Sequence, residues 1–319
     1  MKPRLLPLSS SSPPLSPTSY RKLITQTTIS LLLFSLGYTL GFLSSSSSSS
    51  PPPFSSPSQS DSNSTIPSLS VDLFRFRTKC ADPIPQSSIL STILNNSFDG
   101  ASPFLGFPSP ETSSLILPPR SNPRGWGSTG AVFRDLIESL RPSTIIELGS
   151  FLGASALHMA AVTRGLSLPA LILCVDDFRA WPGFRRRIRR DVPPGRWGDS
   201  LLLPQFMANV AAAGEASRVV PLPFSTAAAL AALCDWGIYG DLIEVDAGHD
   251  FHSAWADINR AYAILRPGGV LFGHDYHTIA DNRGVRRAVT LFAKVKGLQV
   301  RGHGEHWVLS AKPLNESLW

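Results

Sequence analysis

The sequence is poor in cysteine, and the cysteines that it has form no metal-binding or redox motif. Cys80, Cys174 and Cys234 lie far apart in the 319 residues, and no C-x-x-C pair occurs. A zinc ribbon or a thioredoxin-like redox centre therefore has no support in the sequence. Cys174 lies in a strand-like run and is expected to be a small core residue. The odd number of cysteines does not indicate a compartment.

Acidic residues are missing from the start of the chain. None precedes Asp61, and that stretch carries four basic residues. The segment Arg179–Asp199 holds seven arginines against two acids. The net charge of +6 thus comes from a tail and one loop, and the rest of the chain is slightly acidic. This distribution argues against a general nucleic-acid binder.

Charge is also absent from residues 23–43, which are mostly apolar. As a helix this stretch would be about 31 Å long, close to the hydrocarbon thickness of a bilayer. The basic residues all precede it, so we expect residues 1–22 to stay cytoplasmic and the rest to be translocated. The prediction is a single-pass type II protein facing the lumen of the Golgi or the ER. Import into a plastid or mitochondrion is the alternative, because residues 1–22 are rich in Ser and Pro and contain no acid.

The region after this stretch divides into segments of different composition. Residues 44–70 are a Ser/Pro run with too little apolar surface to fold, which predicts an extended, disordered stalk. Asn63, Asn95 and Asn315 begin N-x-S/T sequons, which are consistent with a luminal side. Residues 71–128 predict a small α-rich or irregular cap. Residues 129–313 are the main domain, followed by a tail, 314–319.

Strand and helix patterns alternate from Pro142 onward, which is typical of an α/β fold with a parallel sheet. The predicted strands cover residues 144–148, 170–176, 218–222, 241–246 and 270–273. The predicted helices cover residues 129–140, 154–164, 201–213, 226–233, 253–265 and 284–296. Two last strands, 298–301 and 306–311, are joined by a tight link that favours an antiparallel hairpin.

The turn after the first strand lacks the G-x-G-x-x-G dinucleotide pattern. Its glycines are Gly149 and Gly153, and Glu147 precedes them at the end of the strand. Ligands of open α/β sheets bind at the carboxyl ends of strands. A carboxylate there would repel a diphosphate and accept a cationic, phosphate-free ligand. The turn resembles motif I of class I S-adenosylmethionine (SAM)-dependent methyltransferases, which receives the methionine half of SAM.

Two further segments are similar to the same superfamily. Residues 240–249 resemble its motif IV, and residues 263–276 contain its LRPGGVL corner. The pair is most similar to the small-molecule and macrocin-type O-methyltransferase branch. The resemblance implies a Rossmann-like doubly wound sheet and O-methylation of a small-molecule or carbohydrate acceptor. Asp176, which ends the second strand, matches the ribose-binding acid. The implied SAM-binding set is Glu147, Gly149, Ser150, Gly153, Asp176, Ser225 and Asp246.

Asp246, His274 and Asp275 end neighbouring strands of the implied sheet. In catechol-type relatives the matching positions bind Mg²⁺. Histidine suits Mn²⁺, Fe²⁺ or Zn²⁺ better, so a divalent metal and its absence both remain open. Without a metal, His249 or His274 could act as general base beside Asp246. Histidines that only hydrogen-bond loops are the alternative.

The arginine-rich loop follows the second strand and is expected beside the active crevice. Arginine forks match carboxylates, and aromatic rings suit sugar faces. Trp181, Arg185, Arg186 and Trp197 are therefore candidate contacts to an acidic carbohydrate. Phosphorylated or nucleic-acid ligands, or a solvated flap without a ligand, remain alternatives. So do two other functions for the whole chain, a non-catalytic scaffold and an iron-dependent hydroxylase-like enzyme.

Overall fold

The computed structural model of the chain describes residues 79–180 and 188–315. Contacts divide the chain into Met1–Pro67 and Ser68–Trp319, and every described residue belongs to the second unit. The predicted cytoplasmic tail, membrane anchor (23–43) and stalk (44–70) lie outside the described residues. Within the two described ranges, no helix is both long and apolar enough to cross a membrane.

The centre of the domain is a seven-stranded sheet in the order β3-β2-β1-β4-β5-β7-β6. The first five strands are parallel, and β7 runs antiparallel to both β5 and β6. This arrangement confirms the predicted parallel sheet with a C-terminal antiparallel hairpin. The strands are β1 (Thr144–Leu148), β2 (Leu171–Val175), β3 (Val219–Leu222), β4 (Gly240–Val245), β5 (Leu265–Gly273), β6 (Val300–His303) and β7 (His306–Leu309).

Helices cover both faces of the sheet, so its central strands are apolar on both sides. Within β1, Ile145 and Ile146 point to opposite faces and join two separate hydrophobic clusters. The helices are α1 (Gln86–Ser97), α2 (Pro110–Leu115), α3 (Ala131–Leu140), α4 (Ala154–Gly165), α5 (Leu202–Ala212), α6 (Thr226–Asp235), α7 (Phe251–Ala263) and α8 (Gly284–Lys296). Side chains of α3, α4 and α5 pack on one face, and those of α1, α6, α7 and α8 on the other.

The start of β5 differs from the prediction. The Pro267–Gly269 segment was expected to form a turn after a helix reaching Leu265, but α7 ends at Ala263 and β5 already begins at Leu265. The segment bends, because Gly268 has φ +81° and the pairing of β4 with β5 shifts register between Leu265 and Val270. Two backbone bonds with Lys312 hold it, from Gly268 N to Lys312 O and from Lys312 N to Gly269 O. A Cβ on Gly269 would lie 2.7 Å from the carbonyl oxygen of Asp241. Gly268 therefore makes the predicted bend, within the start of β5, and Gly269 permits the close approach of the two strands.

The described part of the N-terminal cap is fastened to the end of the sheet where the parallel strands begin. Cys80 forms a disulfide bond with Cys234 at the end of α6. Ala81 N donates to Cys234 O at 2.9 Å. Gln86 Nε2 donates to the carbonyl oxygen of Ser143, just before β1, at 2.9 Å. The sequence had assigned no partner to either cysteine, because 154 residues separate them.

Candidate active site

A cavity of about 960 Å³ opens at the carboxyl ends of the parallel strands. On one side it is lined by the turn after β1 and by the residues that follow β2. On the other side it is lined by the ends of β4 and β5 and by the β6–β7 hairpin. Its polar and turn residues include Gly149, Phe151, Asp176, Ser225, Asp246, His249, His274, Asp275 and Glu305.

The two motif glycines have separate structural reasons. Gly149 has φ +95°, and a Cβ there would lie 1.9 Å from the carbonyl oxygen of Asp246. Its N–H donates to Val175 O at 2.8 Å. Gly153 has φ +88° and forms the N-cap of α4. The turn is thus held against the ends of β2 and β4, and only glycine fits at its first position.

Asp176 shapes the side of the cavity at the ends of β1 and β2. Its Oδ2 accepts a hydrogen bond from Phe151 N at 2.9 Å, and its Oδ1 accepts one from Phe178 N at 2.7 Å. Burial raises the pKa of Asp176, although both hydrogen bonds oppose the shift. The carboxylate therefore connects the turn after β1 to the loop after β2 while it faces the cavity.

Glu147, also predicted to bind the cofactor, is not on the cavity wall. Its side chain is fully buried, and Ser155 Oγ in the first turn of α4 donates to it. Glu244 is its partner in register on β4 and is also buried. Burial raises the pKa of Glu147 and raises that of Glu244 well above its usual range. Ser150 is likewise buried.

The predicted catalytic residues are brought together by the ends of β4 and β5. His249 Nε2 lies 2.8 Å from Asp275 Oδ2 and 3.8 Å from Asp246 Oδ1. His274 Nδ1 lies 3.6 Å from Asp275 Oδ2 and 3.8 Å from Asp246 Oδ1. The other ring nitrogen of His274, Nε2, is 3.2 Å from Glu305 Oε2 on the hairpin. Two imidazoles thus alternate with three carboxylates.

These carboxylates decide the charge of the histidines. Hydrogen bonds to Asp246 and then Asp275 raise the pKa of His249 to about 10. Burial would lower the pKa of His274, but the hydrogen bond to Asp275 and the charge of Asp246 raise it to about 9. Burial and the nearby charge of His274 lower the pKa of His306 to about 4. Before any ligand binds, His249 and His274 are therefore imidazolium ions at neutral pH.

Three side chains of this cluster lie close enough together to hold a metal ion. Ligand atoms of Asp246, His249 and Asp275 all lie within 4.8 Å of one another. The sequence predicted His274 in place of His249, and Nδ1 of His274 also lies 3.6 Å from Asp275 and 3.8 Å from Asp246, while its Nε2 faces Glu305. Two carboxylates and one imidazole suit Mn²⁺, Fe²⁺ or Zn²⁺ better than Mg²⁺.

Arg124 and Trp126 line the cavity together, and the sequence did not predict them as site residues. The Arg124 guanidinium carbon lies 5.2 Å from the centre of the Trp126 ring. The centre of the Phe151 ring lies 5.7 Å from the centre of the Trp126 ring. A Cβ on Gly127 would lie 2.4 Å from His274 Nε2, so the backbone of this loop packs closely against the histidine ring. The only signal in the sequence was a tryptophan between two glycines, Gly125 and Gly127, and the structure leaves that side chain half-exposed.

The remaining predicted residues lie in different places. Ser225 lines the cavity, and its Oγ caps α6 by accepting from Ala228 N at 3.3 Å. Trp197 is 85% exposed and is not among the lining residues. Trp181, Arg185 and Arg186 fall outside the described residues.

Residues 146–276 match the profile of a family described as "Methyltransferase domain". The matched segment runs from β1 to just past β5 and includes the turn, Asp176 and the acid–histidine cluster. It is less than half of the chain. A search of curated proteins found no match.

Solved structures with a similar fold include several described as O-methyltransferases. One, from Bacillus cereus in complex with SAH, is 16% identical, with 70% of this chain and 97% of that chain covered and a TM-score of 0.43. Another is TomG from Streptomyces achromogenes, described as involved in tomaymycin synthesis and in complex with SAM. It is 15% identical, with 76% of this chain and 96% of that chain covered and a TM-score of 0.42.

Proposed function

We propose that this chain is a SAM-dependent methyltransferase that methylates an oxygen of a small-molecule or carbohydrate acceptor. One observation carries the proposal. The glycine turn and Asp176 open into the same cavity as the cluster of Asp246, His249 and Asp275. Methyl transfer needs little covalent chemistry from a protein, because the main requirement is to hold donor and acceptor in line. The match of residues 146–276 to the methyltransferase-domain family supports the same function.

The donor side suits a cation that carries a sugar. Asp176 faces the cavity with a carboxylate that two backbone N–H groups hold in place. A carboxylate in this position accepts hydrogen bonds from ribose hydroxyls. Ser225 lies at the far end of this side, where an adenine edge would fit. Glu147 does not contact the donor in this proposal. It positions the turn, because its hydrogen bond with Ser155 fixes the start of α4 behind it.

The acceptor side suits removal of a hydroxyl proton. His249 is half-exposed in the cavity, and Asp275 Oδ2 orients its Nε2 at 2.8 Å. An imidazolium cannot accept a proton, so His249 must first lose one. A positive charge that enters the cleft favours this loss, because like charges disfavour the charged form of histidine. Because the bond to Asp275 keeps one proton on Nε2, the acceptor proton moves to the other ring nitrogen, Nδ1, as the methyl group is transferred to the acceptor oxygen and the donor leaves as SAH.

A divalent cation also fits this side. Asp246, His249 and Asp275 would hold it, and it would supply Lewis-acid stabilisation of the acceptor oxygen. His249 cannot be a ligand and the proton acceptor at once. Chelator treatment followed by addition of single metals separates the two roles: activity that survives chelation assigns His249 as the base.

We further propose that the domain faces the lumen of the Golgi or the ER behind a type II anchor at residues 23–43. The Cys80–Cys234 bond supports this compartment, because disulfides persist in oxidising environments. Removal of N-glycans from the expressed protein should increase its gel mobility, through the sequons at Asn63, Asn95 and Asn315. No mobility change, together with loss of about the first 60 residues, would indicate import into a plastid or mitochondrion instead.

The direct test of the activity is SAM binding and turnover by the full-length chain. We expect SAM to bind and Asp176→Asn to weaken the binding. Asp99→Asn is the matched control, because it makes the same change at an exposed carboxylate that does not line the cavity. If both variants bind SAM as tightly as the wild type, the binding site lies elsewhere. Absence of SAM binding in the wild type would favour the scaffold, and iron with O₂-dependent turnover would favour the hydroxylase.

A further inference from the structure

The loop between β2 and α5 has an inner and an outer side with different chemistry. Ile188 and Val192 are buried and belong to the core cluster that covers α5. Ile188 also lines the cavity. Arg189 and Arg190, which follow Ile188 directly, are exposed. The same short segment therefore forms part of the cavity wall and displays charge on the outside.

Trp197 stands at the tip of a tight turn on this loop. Arg196 and Asp199 exchange backbone hydrogen bonds of 3.0 and 2.7 Å, and Trp197 and Gly198 between them have φ of +52° and +83°. Asp199 Oδ1 accepts from Leu201 N at 2.7 Å, which fixes the base of the turn. The tryptophan is thus displayed on an ordered turn.

Neither packing nor turn formation explains a tryptophan at this position. Its side chain is 85% exposed, so it contributes almost nothing to the core. A left-handed conformation favours Gly, Asn or Asp over a bulky residue. Tryptophan and arginine are the residues most enriched at binding hot spots. The exposed indole therefore points to a ligand outside the fold.

The charge around the turn indicates an anionic ligand. Arg179, Arg189, Arg190 and Arg196 are exposed, and no carboxylate in the described part of the chain pairs with them. Asp191, the acid among them, is already bound by Arg124 at 3.0 Å and by Arg120 at 3.4 Å. Because Arg124 lines the cavity, this ion pair joins the outer surface to the mouth of the cavity.

We propose that the exposed face formed by Arg189, Arg190, Arg196 and Trp197 is an exosite for an anionic polysaccharide. Arginine forks bind the carboxylates of uronic acid units, and the indole packs against the flat face of one sugar ring. The face adjoins the cavity, so a polymer held here presents a hydroxyl of a neighbouring unit to His249. The inference rests on the proposed function, of which it specifies the acceptor class.

Binding to the full-length chain tests the exosite with a long oligogalacturonate, free galacturonic acid and neutral amylose as probes. We expect the oligogalacturonate to bind and the other two to bind much more weakly. Trp197→Ala and the double variant Arg189→Ser/Arg190→Ser should each weaken oligogalacturonate binding about tenfold or more. The matched control is Lys294→Ser/Arg301→Ser, which removes the same charge from other exposed positions and should bind like the wild type.

SAM affinity of the same proteins separates the two hypotheses. The wild type, the Trp197 variant, the double arginine variant and the control should bind SAM equally, because none of the substituted side chains lines the cavity. Unchanged oligogalacturonate binding in the Trp197 and arginine variants, or an equal loss in the control, overturns the exosite and leaves the methyltransferase proposal intact. Equal amylose binding, or a preference for single-stranded DNA or phosphatidylserine vesicles, also overturns it. Oligogalacturonate binding without any SAM binding keeps the exosite and contradicts the enzyme.

Discussion

Loss of the Cys80–Cys234 bond should destabilise the domain strongly. The bond closes a loop of 154 residues. By the chain-entropy relation, such a cross-link lowers the conformational entropy of the unfolded chain, which stabilises the folded state by about 5 kcal/mol at 25 °C. Measured losses for native disulfides lie at or below this figure, so we expect Cys80→Ala to lower the free energy of unfolding by about 2–5 kcal/mol.

The pairing makes a sharper prediction than the loss itself. Cys80→Ala and Cys234→Ala remove the same cross-link, so each should cost about the same free energy. The double variant should cost little more than either one, because the link can be lost only once. Two unlinked cysteines in the core would instead give losses that add.

Urea unfolding of the full-length chain, followed by tryptophan fluorescence, measures these differences. Thiol titration of the unfolded wild type gives the covalent control. One thiol, that of the buried Cys174, should react before reduction, and all three should react afterwards. Three reactive thiols before reduction, or additive losses in the double variant, would refute the reasoning about the cap.

The remaining predictions concern the site. Asp176→Asn should weaken SAM binding about 10- to 100-fold, by isothermal titration, because one charge-assisted hydrogen bond at the turn is lost. Gly149→Ala should abolish binding and lower the melting temperature, because a Cβ would overlap the carbonyl of Asp246. His249 has a raised pKa, so its stabilising contribution is complete below about pH 6.5 and lost as the pH rises towards about 10. The melting temperature of His249→Asn should therefore fall less than that of the wild type between these pH values. Trp126→Ala should raise KM for the acceptor and leave SAM affinity within about threefold, since the ring forms a wall of the cavity.

Local patterns were sufficient to predict most of the fold. The first strand and α8 have the predicted bounds, because β-branched runs and amphipathic spacing mark them without outside help. The parallel pairing of the first five strands also followed from the alternation of strands and helices, whereas the doubly wound arrangement was implied by the resemblance. The bend at Pro267–Gly269 was predicted, but its place within β5 was not, because it depends on backbone bonds to Lys312, far away in the chain.

The site was predictable where it depends on strand ends and not where it depends on packing. Asp176, Asp246, His249, His274 and Asp275 meet because parallel strands end at one edge. The depth of Glu147 beneath the turn could not be read from the sequence, since strand position does not reveal which face α4 covers. Contacts across long separations stayed hidden, as with Trp126 against Phe151 and Glu305 beside His274.

The most direct test of the central claim is isothermal titration of the full-length chain with SAM and with SAH. The account predicts one binding site for each compound, with both weakened by Asp176→Asn and neither changed by Asp99→Asn. Failure of both compounds to bind a folded protein would contradict the assignment of the cavity as a methyl-donor site.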